Sequence, residues 1–214
     1  MKFKLAFAAL LAASALAPAQ AAITVHTGAF LGSVTQYNGF ESIGQSYSFP
    51  ANTPYTEDGI TVEYVGTAGI WTDSQIMEGK YSWYENGGGT GYTEVTFGAT
   101  NAIQFAAGSG WYGGTPVLQY EVLSAGSVIA TGSISGISAY TGFGYYGFSG
   151  ATFDELHLQV QQGGTVFDPG AYEAGAYDAF SIGTPVPEPS SWALMVAGVG
   201  VLGVALRRRQ AAKA

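Results

Sequence analysis

Apolar and polar residues alternate in short runs along most of this chain, and the alternation predicts strands. Ile60, Val62 and Tyr64 share one face of the run from Ile60 to Val65. Thr93, Val95 and Phe97 do the same within Tyr92 to Phe97, as do Leu118, Tyr120 and Val122 in the next run. Ser124-Ala125-Gly126-Ser127 reads as a hairpin turn into Val128-Ile129-Ala130. Leu156, Leu158 and Val160 alternate with Glu155, His157, Gln159 and Gln161, and Ala176 to Ile182 forms the last strand. Gly- and Asn-rich breaks lie between, among them Asn86 to Gly91 and Gly108 to Gly114. No stretch of residues 22–186 keeps a helical period. The pattern predicts an all-β fold, two packed antiparallel sheets in a β-sandwich of jelly-roll-like form.

Both ends break this pattern. Lys2 and Lys4 precede an apolar run from Leu5 to Leu16 and then Ala19-Gln20-Ala21, the layout of a signal peptide over residues 1–21. The passenger domain is expected at 22–183. A linker at 184–191 follows, where Pro185, Pro187 and Pro189 favour extended backbone and oppose a place in a sheet. Trp192 to Leu206 is apolar throughout, about 22 Å long as a helix at ~1.5 Å per residue. That is short for a hydrocarbon core of about 30 Å, but workable with local thinning. Trp192 suits one interface, and Arg207, Arg208 and Arg209 suit the cytoplasmic side as a stop-transfer cluster. Residues 192–206 therefore read as a transmembrane helix, residues 207–214 as a basic cytoplasmic tail, and the domain lies outside.

Charge sharpens the picture. Of 15 acidic residues only Glu188 falls outside 22–186, and of 7 basic residues only Lys80 falls inside, so the domain carries a net −13. Nucleic acid and anionic lipid need a basic surface, so neither is a partner. The chain has no Cys, which excludes disulfides, thiol catalysis, Cys-based zinc sites and a lipidated N-terminus.

Val186-Pro187-Glu188-Pro189-Ser190-Ser191, an apolar helix with small residues, and then Arg207-Arg208-Arg209 near the chain end resemble the PEP-CTERM sorting signal. The resemblance covers about 24 residues, 186–209, so it speaks for the address and not for the passenger's chemistry. It implies export across the inner membrane of a Gram-negative, exopolysaccharide-producing bacterium. It also implies recognition by an exosortase, with Pro187, Glu188 and Pro189 as the sorting motif. After processing, the protein would reach the cell envelope, surface or biofilm matrix.

Catalysis finds little support. There is no Gly-x-Ser-x-Gly elbow. His26 lies near the expected mature N-terminus, and His157 sits on the polar face of a strand. Glu57-Asp58 and Asp154-Glu155 are adjacent pairs, which a strand sends to opposite faces. The passenger is therefore expected not to be an enzyme, a polysaccharide-degrading jelly roll being the less favoured reading.

Two binding features remain. Trp83-Tyr84 and Trp111-Tyr112 are flanked by Gly-rich loop, and one member of each pair is expected to be exposed and able to stack on a sugar. The Phe40-Glu41 start and the Ala176-Tyr177-Asp178-Ala179-Phe180 end are similar to the first and last strands of some carbohydrate-binding jelly rolls. That similarity implies a structural calcium shared by Glu41 and Asp178. The competing reading is that backbone amides satisfy Asp178 at a bend. Together these features suggest a non-catalytic domain associated with exopolysaccharide, the alternative being a purely structural surface protein.

Overall fold

The computed structural model describes residues 22–85, 89–138, 142–164 and 166–186. The signal helix at 1–21, the Pro187-Glu188-Pro189 motif, the membrane helix at 192–206 and the basic tail lie outside the described residues. Eleven strands follow one another: β1 (Thr24–Thr27), β2 (Leu31–Asn38), β3 (Tyr55–Glu57), β4 (Ile60–Gly66), β5 (Ile70–Trp71), β6 (Trp83–Glu85), β7 (Gly91–Ser109), β8 (Pro116–Ser124), β9 (Ser127–Ser135), β10 (Phe143–Gln162) and β11 (Gly175–Pro185). Every strand pairing is antiparallel, and the described residues contain no helix. The all-β expectation holds.

Strands β7 and β10 span 19 and 20 residues, and each passes through both layers of the sandwich. The first half of β7 pairs with β4 and with the second half of β10, which in turn pairs with β8. The second half of β7 pairs with β11 and with the first half of β10. Between the halves the β7–β10 register slips twice, between Ser149 and Phe153 and between Phe153 and Glu155. Such irregularities bend a strand and raise its twist, which lets one chain segment turn from layer to layer. One layer is therefore β3-β4-β7-β10-β8-β9. The other is β5-β6-β11-β7-β10-β1, with β2 beside the C-terminal end of β11.

The inward parities fill the space between the layers. Ile60, Val62, Val95, Leu118, Val122, Leu156 and Leu158 come from the first layer, and Ile103, Phe105, Phe148, Tyr177 and Phe180 from the second. The rings of Tyr120 and Phe148 meet across the gap with centroids 4.8 Å apart. The β8–β9 hairpin closes at Ala125-Gly126, with φ of 49° and 74°. Positive φ at both central residues is the geometry that matches the twist of the flanking strands.

The last strand departs from expectation. It continues to Pro185, which pairs with Leu31, and the Val186 amide still donates to Phe30 O at 2.9 Å. Proline lacks the N–H that an interior strand position uses, but at the end of a strand nothing is lost. The sheet thus reaches two residues past the expected boundary at 183.

Candidate functional site

Strand register lays one row of side chains across the outer face of the first layer. Glu63 on β4 pairs with Glu94 on β7, Glu94 with His157 on β10, and His157 with Glu121 on β8. Glu155, two residues before His157, projects from the same face. His157 Nε2 lies 2.7 Å from Glu155 Oε1 and 3.8 Å from Glu94 Oε2, and Nδ1 lies 3.1 Å from Glu121 Oε2. Burial and the neighbouring Glu155 raise the Glu94 carboxyl above its usual range, His157 opposing them.

The β10–β11 connection folds over one end of this face. Gln159 Nε2 donates to Gly91 O and Asp168 O at 2.7 Å each, and Gln119 Nε2 donates to Gly164 O at 2.5 Å. Both glutamines stand on the outer parity yet are buried. Phe167 from the same connection and Tyr92 pack on the imidazole, with centroids 5.9 and 4.6 Å away. Glu94, Glu155 and His157 bring three potential ligand atoms within 4.8 Å of one another, a donor set of the kind a divalent transition ion takes. One hydrogen bond among the three, between His157 Nε2 and Glu155 Oε1, is already made, and Glu121 takes the other imidazole nitrogen. Both carboxylates also turn to one imidazole nitrogen. A glycosidase instead sets its acid and its nucleophile on either side of the bond to be cut.

The aromatic pairs divide unequally. Trp83 is fully buried: it packs on Phe40 and Phe49 and donates Nε1–H to Thr93 Oγ1 at 3.0 Å. It cannot stack on a ligand, because β6 faces it into the gap between the layers. Trp111 is half-buried and packs against the core, whereas Tyr112 is 83% exposed. Tyr84 points away from the core yet is buried as well, at 8% exposure: Trp71 covers it edge-on at 6.1 Å and its phenol lies over Gly110, so neither member of this pair is exposed as expected. Trp71 in turn meets Tyr47, 59% exposed, edge-on at 5.7 Å. Gln45 Nε2 beside them donates to Tyr47 Oη at 3.1 Å and to Asp73 Oδ2 at 2.6 Å. Tyr47 and Gln45 hold the Asp73 carboxyl below the usual carboxylate range. The result is a surface strip of Tyr47 and Trp71, underlain by the buried Tyr84 and leading past Gly110 to Trp111-Tyr112, with an amide and a carboxylate beside Tyr47. Tyr47 and Trp71 escaped the sequence reading, since neither belongs to an aromatic pair beside a Gly-rich loop.

Glu41 and Asp178 converge on one loop. Asp178 Oδ2 accepts the amides of Met77 and Glu78 at 3.1 and 2.9 Å, its Oδ1 accepts the Ala179 amide at 2.7 Å, and Glu41 Oε1 accepts the Lys80 amide at 2.8 Å. Ala179 has φ of 52°, and the β11–β7 register slips there. That bulge breaks the parity of the strand, so Tyr177 and Phe180 both enter the core while Asp178 meets the 77–78 amides. The backbone-amide reading of Asp178 describes this geometry, and the carboxylate has three donors without a metal.

Residues 185–209 match the family model of the PEP-CTERM protein-sorting motif. The chain thus carries a PEP-CTERM sorting motif over this segment. The matched segment includes Pro187, Glu188, Pro189 and the Arg207–Arg209 cluster. No curated protein matches the chain. Among solved structures, the fold is similar to the CBM22-1 xylan-binding domain of Paenibacillus barcinonensis Xyn10C. The two are 15% identical with a TM-score of 0.41, covering 75% of this chain and 100% of that one. It is also similar to the Arthrobacter globiformis T6 isomalto-dextranase complexed with panose, at 11% identity and a TM-score of 0.38. There the match covers 75% of this chain and only 34% of the other.

Proposed function

We propose that this protein is exported across the inner membrane of a Gram-negative cell, held by its C-terminal helix, and released to the surface by an exosortase. The match over residues 185–209 carries this reading. The physical arrangement agrees with it. An acidic motif of restricted backbone lies directly before an apolar segment, within reach of an enzyme in the same membrane. The passenger, in this reading, is a non-catalytic β-sandwich that binds neutral polysaccharide on the strip from Tyr47 to Tyr112.

The strip supports the binding role because it combines exposed ring faces with hydrogen-bonding groups beside them. Aromatic faces take the apolar side of a sugar ring, while an amide and a carboxylate such as Gln45 and Asp73 take its hydroxyls. The acidic domain is compatible with a neutral glycan and repels an anionic one. The test fractionates cells with and without the exosortase and then measures binding of the released protein to the producer's own polysaccharide. Retention in the membrane fraction without the enzyme and glycan binding after release are the expected results. Release with no binding would leave a structural surface protein. The edge strand β9 offers one route to self-association, with Val128 49% and Ile129 37% exposed.

A further inference from the structure

Three acidic side chains are buried among the described residues: Glu85, Glu173 and Asp178. Their surroundings differ. Asp178 has three backbone amides. Glu85 Oε1 accepts the Thr93 hydroxyl, and its Oε2 accepts the Gly175 amide at 3.2 Å. Glu173 is 1% exposed, and no hydrogen bond of normal geometry reaches either of its oxygens. The hydroxyls of Tyr64 and Tyr177, also buried, have no partner of normal geometry either.

These groups lie close together. Glu85 and Tyr64 both lie close enough to Glu173 to perturb its carboxyl, and both carboxylates and Tyr64 act on Tyr177. Gly175 marks the spot. A Cβ there would stand 2.7 Å from Glu85 Oε2 and 2.7 Å from the Tyr177 hydroxyl, so the absence of a side chain makes room for both. The elements around the cluster are β4 with Tyr64, β6 with Glu85, β7 with Thr93, and β11 with Tyr177 and the residues leading into it. None of them brings a Lys, Arg or His to it. Two carboxylates without a counter-charge are costly in such a place, and burial raises both above the usual carboxylate range.

We propose that Glu85 and Glu173 hold a calcium ion, with the Tyr64, Tyr177 and Thr93 hydroxyls as neutral oxygen donors around it. The donor set contains only oxygen, which selects a hard cation. Two carboxylates balance a divalent charge. Calcium fits better than magnesium, because magnesium gives up its water reluctantly and this cluster is closed to solvent. Exported domains also work where millimolar calcium is available, and extracellular modules bind it in the 10⁻⁴–10⁻³ M range. The ion would tie β6 to β4 and β11 across the sandwich. It is distinct from the Glu41–Asp178 loop clamp, whose oxygens take amides, and from the His157 row, where an imidazole supplies the partner.

The test uses the full-length chain in mild detergent, stripped with chelator, and follows thermal unfolding and terbium luminescence sensitised by the neighbouring Trp83, Tyr64 and Tyr177. Calcium at about a hundredfold excess over its Kd is expected to raise Tm by about 5–10 °C. Terbium emission is expected to appear and to be competed away by calcium. Glu173→Gln and Glu85→Gln should abolish both effects, whereas Asp178→Asn and Glu94→Gln should retain them. A wild-type protein indifferent to calcium in both readouts overturns the proposal and leaves the two carboxyls sharing a proton. A response lost in Asp178→Asn but kept in Glu173→Gln also overturns it and moves the ion to the Glu41 loop. If neither Gln variant folds, a calcium-dependent rise in Tm that Asp178→Asn and Glu94→Gln retain decides for the site, and its absence in the wild type overturns it.

Discussion

Trp83 on β6 donates its indole hydrogen to Thr93 on β7 over 3.0 Å, and the bond joins the two layers of the sandwich. Thr93 passes its own hydroxyl hydrogen to Glu85 Oε1, so three buried polar groups form one chain of donors and acceptors. Trp83→Ala should cost about 3–5 kcal/mol through lost packing and a residual cavity. Thr93→Val should cost about 1–3 kcal/mol, since it leaves the indole and Glu85 Oε1 without a partner at no great change in volume. Denaturant unfolding of the two variants measures both. Equal and negligible effects would mean that Trp83 does not occupy the gap between the layers.

Tyr47 is the best single probe of the surface strip, because it is 59% exposed and its removal leaves the core intact. Tyr47→Ala and Tyr112→Ala are each expected to weaken polysaccharide binding by about 3–10-fold, the worth of one aromatic stacking contact. Tm should change little. Trp83→Phe should leave binding unchanged, since its ring faces inward. Affinity electrophoresis in the producer's polysaccharide gives the comparison. Loss of binding only in variants that also lose Tm would remove the strip as a binding surface.

Much of this fold follows from period-two alternation. The inward faces of β4, of the first half of β7, of β8 and of the second half of β10 are those that Val62, Val95, Tyr120 and Leu158 indicate. Alternation cannot tell where a strand bends between layers, however. The run read from Tyr92 stops at Phe97, yet β7 continues past it through Gly98 to Asn101 and on to Ser109. Register is equally hidden: nothing local to His157 announces Glu94 and Glu121, which reach it only by strand pairing. Asp178 shows a third limit. Its parity points to the core in an ideal strand, and the bulge at Ala179 turns it to the 77–78 amides. Glu85 follows the parity of Trp83 inward, a burial that composition alone would not assign to a carboxylate.

Asp178 also sets a pH dependence. Burial lifts its carboxyl from the ordinary 3.8 to about 6, with three amides pulling the other way and Glu78 adding to the rise. A folded value above the unfolded one means that the folded state binds the proton more tightly. The stability this contributes is fully present below about pH 3.8 and is lost as pH rises through about 6. In chelator, therefore, Tm should fall between pH 4 and 7, and Asp178→Asn should lessen that fall without abolishing it, since burial also raises the Glu85 and Glu173 carboxyls. A profile that rises over this range in the wild type and is unchanged in the variant would show that the amides outweigh burial.

The sorting segment begins where the sheet ends. Val186 is still hydrogen-bonded to Phe30, and Pro187 follows immediately. Residues 187–191 are then all that separates the domain from Trp192, at most about 17 Å of extended chain. If Trp192 to Leu206 spans the membrane as proposed, the domain stands close to it. Glu188→Ala or Pro187→Ala should leave the protein in the membrane fraction at its unprocessed mass, while the fold of the passenger is unaffected. A short Gly-Ser spacer between Val186 and Pro187 should leave processing intact or quicken it if, as proposed, recognition uses the motif and its distance from the apolar segment, both of which the spacer preserves. Immunoblots of membrane and released fractions follow both variants. Processing that survives Glu188→Ala but fails with the spacer would place recognition in the domain edge around Val186 instead of in the motif.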